Sequence, residues 1–303
     1  MRVVILAGGT GSAKLIAGLS YIANKLTIIS NIGDNIWLYG LYICPDLDIT
    51  TYCLAGILDD KGWGVKDDTF NFLSQLSKLG FQTWFKVGDK DLAIHLVRTE
   101  MIKKGTRLTE ITKFITNSLN IKHEIFPCSD FDVQTFVKTD KGELHLQEFW
   151  VREQAKPQVF GIEYKGSQFA EASPETLESI LNAERIIICP ANPITSIGPI
   201  MAVKGISEAI SKSKARKVAV SPIIGSKPVS GPAGKFMQAL GVRVDSVGVA
   251  ALYKGLIDVL LIDKTDKNFC HEIESIGIEC IEDEIIMKNK ADQIRLASRA
   301  LEV

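Results

Sequence analysis

The first 35 residues constrain the fold more than any other segment. Arg2-Val3-Val4-Ile5-Leu6-Ala7 is a short, continuous apolar run rich in β-branched residues. A parallel strand covered by helices on both faces has this character. Gly8-Gly9-Thr10-Gly11 follows. Lys14, Leu15, Leu19 and Ile22 then recur at helical spacing, and a second apolar run, Leu26–Ile29, ends in Asn31-Ile32-Gly33-Asp34-Asn35. A strand, a glycine loop, a helix and a second strand in this order predict an open parallel α/β sheet.

From about residue 36 to 120 the spacing turns mostly helical, which predicts a helical insert. Asp68 is placed to cap a helix through Phe72 and Leu76 that Gly80 ends. Asp89 opens another through Ala93, Leu96 and Met101, ended by Gly105, and a third covers roughly 108–119. Residues 122–165 read as β-rich. Val133–Val137 and Leu144–Val151 alternate around Thr139-Asp140-Lys141-Gly142, a hairpin pattern. Sheet-and-helix alternation then returns, with strands expected at 185–189, 217–221 and 258–262 and helices at 174–183, 205–213, 231–240 and 289–301. No repeat, low-complexity tract or long linker divides the 303 residues. The reading is one α/β domain, 1–303. It is Rossmann-like, with a mainly parallel sheet, helices on both faces, the helical insert and a β-hairpin.

Charge narrows the partners. Lys+Arg is 35 and Asp+Glu is 36, a net charge of −1, whereas domains that grip nucleic acid are usually strongly basic. The longest uncharged stretch, Ile186 to Val203, is broken by Pro190, Asn192, Pro193 and Pro199, so no membrane span is expected. The six cysteines are scattered without a Cys-x-x-Cys pair, which suggests neither a zinc cluster nor a disulfide framework. A reduced, cytoplasmic protein is the expectation.

Several polar segments can carry chemistry. Gly9, Thr10 and Gly11 stand where a strand hands over to a helix, so backbone N–H groups can cradle a phosphate there. The same glycines also suit a tight turn with nothing bound. Cys44-Pro45-Asp46-Leu47-Asp48 carries two close carboxylates. In extended backbone they share one face and suit Mg²⁺, while a solvated turn with one Asp capping a helix near Ile49 is equally compatible. Lys86 and Asp89 precede a helix bearing His95 and Arg98, both able to reach an anion. His123, His145 and His271 have no partner at metal spacing and read as surface residues. Asn192, Ser196 and Gly198 lie in a proline-rich loop after one expected strand, and Ser221 and Gly225 in a loop after the next. Ligands of open parallel sheets bind at such strand ends.

Taken together, these segments resemble the 2-phospho-L-lactate transferase family of coenzyme F-420 (deazaflavin) biosynthesis. The resemblance rests on Gly8-Gly9-Thr10-Gly11 with Lys14, Cys44-Pro45-Asp46-Leu47-Asp48, Gly88-Asp89-Lys90-Asp91 with His95 and Arg98, Asn192 through Pro199, and Val220 through Gly225. They occur in family order and span most of the chain. The resemblance implies a Mg²⁺-dependent dimer. Such an enzyme moves a phosphorylated three-carbon acid from a GDP-linked donor to the ribityl hydroxyl of 7,8-didemethyl-8-hydroxy-5-deazariboflavin, releasing GMP. The acid is phospholactate, phosphoenolpyruvate or phosphoglycerate. It further implies Asp46 and Asp48 on the metal, with Asp48 also near the acceptor hydroxyl. Phosphate would lie on the glycine loop, Lys86 and Arg98 would add positive charge or acceptor contacts, and Asn192 and Ser196 would touch the guanine nucleotide. Asp34-Asn35 departs from the family's usual acidic pair, and Ile49, Lys90 and Phe131 from its usual Thr, Arg and Asp.

Two other readings compete. An NAD-dependent oxidoreductase would use the glycine loop, with Asp34 on the ribose. A nucleotide-sensing regulator of a related glycine-loop family shares several strand-end motifs. Neither accounts for the Asp46–Asp48 pair.

Overall fold

The computed structural model describes residues 1–303. Its centre is a seven-stranded sheet. The strands are β1 (Val3–Ala7), β2 (Leu26–Ser30), β3 (Glu124–Pro127), β4 (Arg185–Ile188), β5 (Arg216–Val220), β6 (Val259–Asp263) and β7 (Glu279–Asp283). They lie in the order β3-β2-β1-β4-β5-β6-β7, and every pairing is parallel. This is the doubly wound order, extended by an edge strand. Connections leave β1 in one direction and β4 in the other, so a crevice opens beyond their carboxyl ends. All five residues of β1 and of β6 are buried, as continuous apolar strands between helical layers must be.

The helix α1 (Gly9–Ile22) follows β1 directly and buries Leu15, Ile16 and Leu19. Its Gly18 touches the backbone of the C-terminal helix Lys290–Glu302. A Cβ there would lie 2.2 Å from the Gln293 carbonyl oxygen, so only glycine permits this approach.

The segment between β2 and β3 is mostly helical, as expected, but begins with a short hairpin, Ile36–Leu38 against Leu41–Ile43. Four helices follow: α2 (Pro45–Leu54), α3 (Asn71–Lys78), α4 (Asp89–Lys103) and α5 (Leu108–Ser118). The caps of α3 and α4 differ from the local reading. Asp89 accepts from the Asn71 and Phe72 N–H groups of α3 at 3.0 and 2.9 Å. Asp68 accepts from the Lys90 and Asp91 N–H groups of α4 at 2.8 and 3.1 Å. Each acid thus caps the other's helix.

The β-rich region forms an antiparallel sheet of Gln134–Thr139, Gly142–His145 and Val159–Lys165. The strand expected over Leu144–Val151 ends at His145, and Glu148–Arg152 coils into a single π-helical turn. The expected strands and helices after residue 170 are present within a few residues. The edge strand β7 and the helices Ser246–Leu252 and Cys270–Ser275 were not foreseen. No helix is long and apolar enough to cross a membrane.

Candidate active site

Pro45 explains the geometry of the acidic motif. At the first helical position its fixed φ suits the helix and its missing N–H costs nothing. Asp46 and Asp48 therefore lie in the first turn of α2, where negative charge is favourable. This corrects the extended reading. A helix turns about 100° per residue, so carboxylates two residues apart leave it on nearly opposite sides.

Asp46 faces the glycine loop and the end of β2. Its Oδ1 accepts from the Gly9 N–H at 2.7 Å, and its Oδ2 from Asn31 Nδ2 at 2.8 Å. The same Asn31 Nδ2 lies 2.8 Å from Asp34 Oδ1. Gln147 Nε2 donates to Asp34 Oδ2 at 3.0 Å. His145 positions Gln147: its Nδ1 accepts from the Gln147 N–H at 3.1 Å, leaving Nε2 3.1 Å from the Asn35 carbonyl. His145 is thus buried, not superficial, and burial lowers its pKa. Burial raises Asp46 to about 6 against its hydrogen bonds. Burial and the neighbouring Asp46 charge raise Asp34 well above the usual carboxylate range. No basic side chain forms an ion pair with either acid.

The glycine loop is held between two walls. A Cβ on Gly8 would lie 2.7 Å from Ser196 Cβ and 2.8 Å from Asp46 Oδ2, and one on Gly11 2.4 Å from the Pro190 carbonyl oxygen. Gly9 adopts φ +68°. With the Gly9 N–H taken by Asp46, the Thr10 and Gly11 N–H groups are among the unpaired donors of the first turn of α1. The Ser196 side chain faces Gly9. Asn192 turns its Oδ1 onto its own loop, accepting from Ile194 and Thr195 N–H at 3.0 and 3.3 Å, and its amide NH₂ makes no hydrogen bond.

Asp48 faces inward, into a different environment. Both of its oxygens accept from the Arg98 guanidinium, Oδ2 from Nη1 at 3.1 Å and Oδ1 from Nη2. His95 Nδ1 lies 3.2 Å from Arg98 Nη1 and 3.6 Å from Asp48 Oδ2. His95 Nε2 is 3.2 Å from Asp91 Oδ1, off the line of a good hydrogen bond. Tyr52 also donates to Asp91. All five residues are buried. Burial raises Asp48, with Arg98 and His95 opposing it. Burial also pushes Asp91 upward, but His95, Tyr52 and Arg98 outweigh it and leave Asp91 below the ordinary range. Asp48, Asp91 and His95 bring ligand atoms within 4.8 Å of one another, but Arg98 is already the cation there.

Asp46 and Asp48 therefore do not form one chelating pair, and Arg98 is buried against Asp48, not open to an anion. Lys86 is exposed, with no partner. Asp89 is occupied by its capping bonds, which hold it at about 2, the Thr69 hydroxyl first among them. Gly198 gives room to the Tyr164 hydroxyl. Ser221 is enclosed, bonded to the Ile223 carbonyl and Ser246, and the Gly225 N–H is taken by Asp266 at 2.8 Å. Neither hydrogen-bonds to Asp34, Asp46 or the glycine loop. The sequence reading missed Asn31, Gln147, Tyr52 and the loop at Gly62. That loop, with φ +86° at Gly62, sits against Thr10: a Cβ on Gly62 would be 3.5 Å from Thr10 Cβ. Only the polar run after β2 hinted at Asn31.

Fold and crevice together define a doubly wound α/β protein. At the switch point it offers free helix-terminal amides beside two neighbouring carboxylates, the buried Asp46 and the half-buried Asp34. The chain belongs to the 2-phospho-L-lactate transferase CofD family, whose model matches residues 3–298. It is 39% identical to the 2-phospho-L-lactate transferase of Methanosarcina mazei over 97% of each chain. It is 38% identical to that of Methanopyrus kandleri, over all of this chain and 97% of the relative. A phosphoenolpyruvate transferase from Streptomyces griseus is 39% identical over all of this chain and 98% of its own. Among solved structures, a protein of the UPF0052 family from Bacillus halodurans superposes with a TM-score of 0.67 at 20% identity, covering 99% of this chain, which shows the shared fold.

Proposed function

We propose that this transferase moves a phosphorylated three-carbon acid from a GDP-linked donor to the ribityl hydroxyl of a deazaflavin, releasing GMP. The observation that carries this reading is the crevice at the β1–β4 switch point. The free Thr10 and Gly11 N–H groups stand there beside Asp46, whose other neighbour is a second carboxylate, Asp34. Donors and acids so placed suit a diphosphate and the cation that accompanies it.

Asp34 and Asp46 fit Mg²⁺. The two acids share one Asn31 amide hydrogen-bond donor, and burial raises both, so a divalent cation would relieve their repulsion. When bound, Mg²⁺ supplies neutralisation of phosphate charge. The chain's own groups do the rest. Thr10 and Gly11 bind a phosphate oxygen. Ser196 and the unpaired amide of Asn192 line the opposite wall for the nucleotide. Asn31 and Gln147 hold the acids in register. Asp48 is a positioning residue, locked by Arg98 so that α2 presents Asp46 correctly. Such transfers depend on in-line positioning and charge neutralisation more than on covalent help.

The test is direct. The protein is mixed with the deazaflavin, Mg²⁺ and, in turn, the phospholactyl, phosphoenolpyruvyl and phosphoglyceryl guanosine diphosphates. GMP release and the acceptor's mass are followed. Product with one donor identifies the group. GMP without a mass gain, or no turnover with any donor, overturns the proposal.

A further inference from the structure

Cysteine chemistry lies outside this crevice. Cys44, Cys128 and Cys189 are fully buried, and Cys53 donates its thiol to the Ala13 carbonyl at 3.2 Å. Cys270 and Cys280 differ. Cys270 opens the short helix Cys270–Ser275, Cys280 lies in the edge strand β7, and both are half-buried. Their Sγ atoms are 2.6 Å apart. A covalent sulfur–sulfur bond measures about 2.05 Å, so little backbone movement separates the two states.

We propose that Cys270 and Cys280 are an oxidation site, a dithiol that closes to an intrachain disulfide with a low-molecular-weight disulfide as oxidant. The exchange balances in two displacements. The Cys270 thiolate attacks one sulfur of the oxidant, forming a mixed disulfide and expelling one thiolate. The Cys280 sulfur then attacks Cys270 Sγ, and the second small thiol leaves. Two protein thiols are oxidised, one external disulfide is reduced to two thiols, and the two thiol protons pass to the departing sulfurs. The order of attack follows from the surroundings. Burial, contact with Cys270, and the Glu274 and Glu282 charges hold Cys280 as a thiol, so Cys270 attacks first and Cys280 gives up its proton only as it displaces the second small thiol.

The closed bond fastens a helix to a strand that has a neighbour on one side only. The site also selects itself, because the other four sulfurs are enclosed or bonded elsewhere.

The test uses the folded full chain with oxidised glutathione. The expected result is a fall from six titratable thiols to four, a mass loss of about 2 Da, and a peptide joining Cys270 to Cys280. Mobility on a non-reducing gel stays that of a single chain. Cys280→Ser should instead accumulate one glutathione on Cys270, released by a reductant. Retention of all six thiols, a link between two chains, or a linked peptide containing any other cysteine overturns the proposal. So does a Cys280→Ser chain that takes up no glutathione.

Discussion

The two sides of the first turn of α2 treat a buried carboxylate in opposite ways. On the Asp48 side the charge is matched within the protein: a guanidinium grips both oxygens, and His95, Asp91 and Tyr52 close the cluster. On the Asp46 side the nearest ionisable partner is another acid, and only amides lie between them. The first arrangement is complete and its worth is structural. The second has no basic side chain paired with its acids, as the proposed metal-binding role requires. Two residues of one motif can thus be a fastener and a binding group, because a helix sends them different ways.

The largest effect should come from opening the matched side. Arg98→Met leaves Asp48 buried and unpaired, and should cost about 3–5 kcal/mol in denaturant unfolding. Adding Asp48→Leu should recover most of that loss. A single variant as stable as the parent would erase the contrast. Next, Asp46→Asn should lower transfer about a hundredfold or more, through loss of metal-assisted charge neutralisation. The same variant should unfold at higher temperature than the parent at pH 8 without metal, where the parent's acid repulsion is strongest.

The pH dependence sharpens the point. Asp46 is raised to about 6 in the folded chain, so folding favours its protonated form. That stabilisation is present at low pH and is lost as pH rises from about 4 through about 6. Metal-free protein should lose about 2–3 kcal/mol across this window, measured by melts at stepped pH. Asp46→Asn should flatten the profile, and Mg²⁺ should reduce the loss in the parent. The smallest effect belongs to Asp89, which serves neither side. Asp89→Ala should lower Tm by about 2 °C through the lost cap on α3, with the donor KM unchanged. A raised KM would return Asp89 to the site.

Legibility in the sequence followed distance along the chain. β1, the glycine loop and α1 were readable because one short segment carries the whole pattern. The two carboxylates of Asp46-Leu47-Asp48 were readable as chemistry but not as geometry. Pro45 starts the helix three residues before Asp48 and separates what extended backbone would align. Asn31, Gln147 and Tyr52 meet their acids across 3, 113 and 39 residues, and the longer two leave no local trace. The crossed caps of Asp68 and Asp89 misled for the same reason: each looked like the cap of the helix that followed it. Ser221 and Gly225 lay at a strand end, as expected, but Ser246 and Asp266 close that end from distant segments.

The strand order has a consequence for how the molecule is made. Val3 pairs with Arg185, residues 182 positions apart, and the wall opposite the glycine loop is Pro190 to Ser196. A growing chain leaves the ribosome amino end first, at about 5–20 residues per second. β1, α1 and β2 can find one another early. The opposite wall of the crevice is still unsynthesised and arrives at least several seconds later. Contacts this remote slow folding. Until β4 emerges, one flank of β1, among the most apolar strands in the protein, stands open to solvent and to other chains. Competence to bind a ligand therefore waits until about two-thirds of the chain has been made.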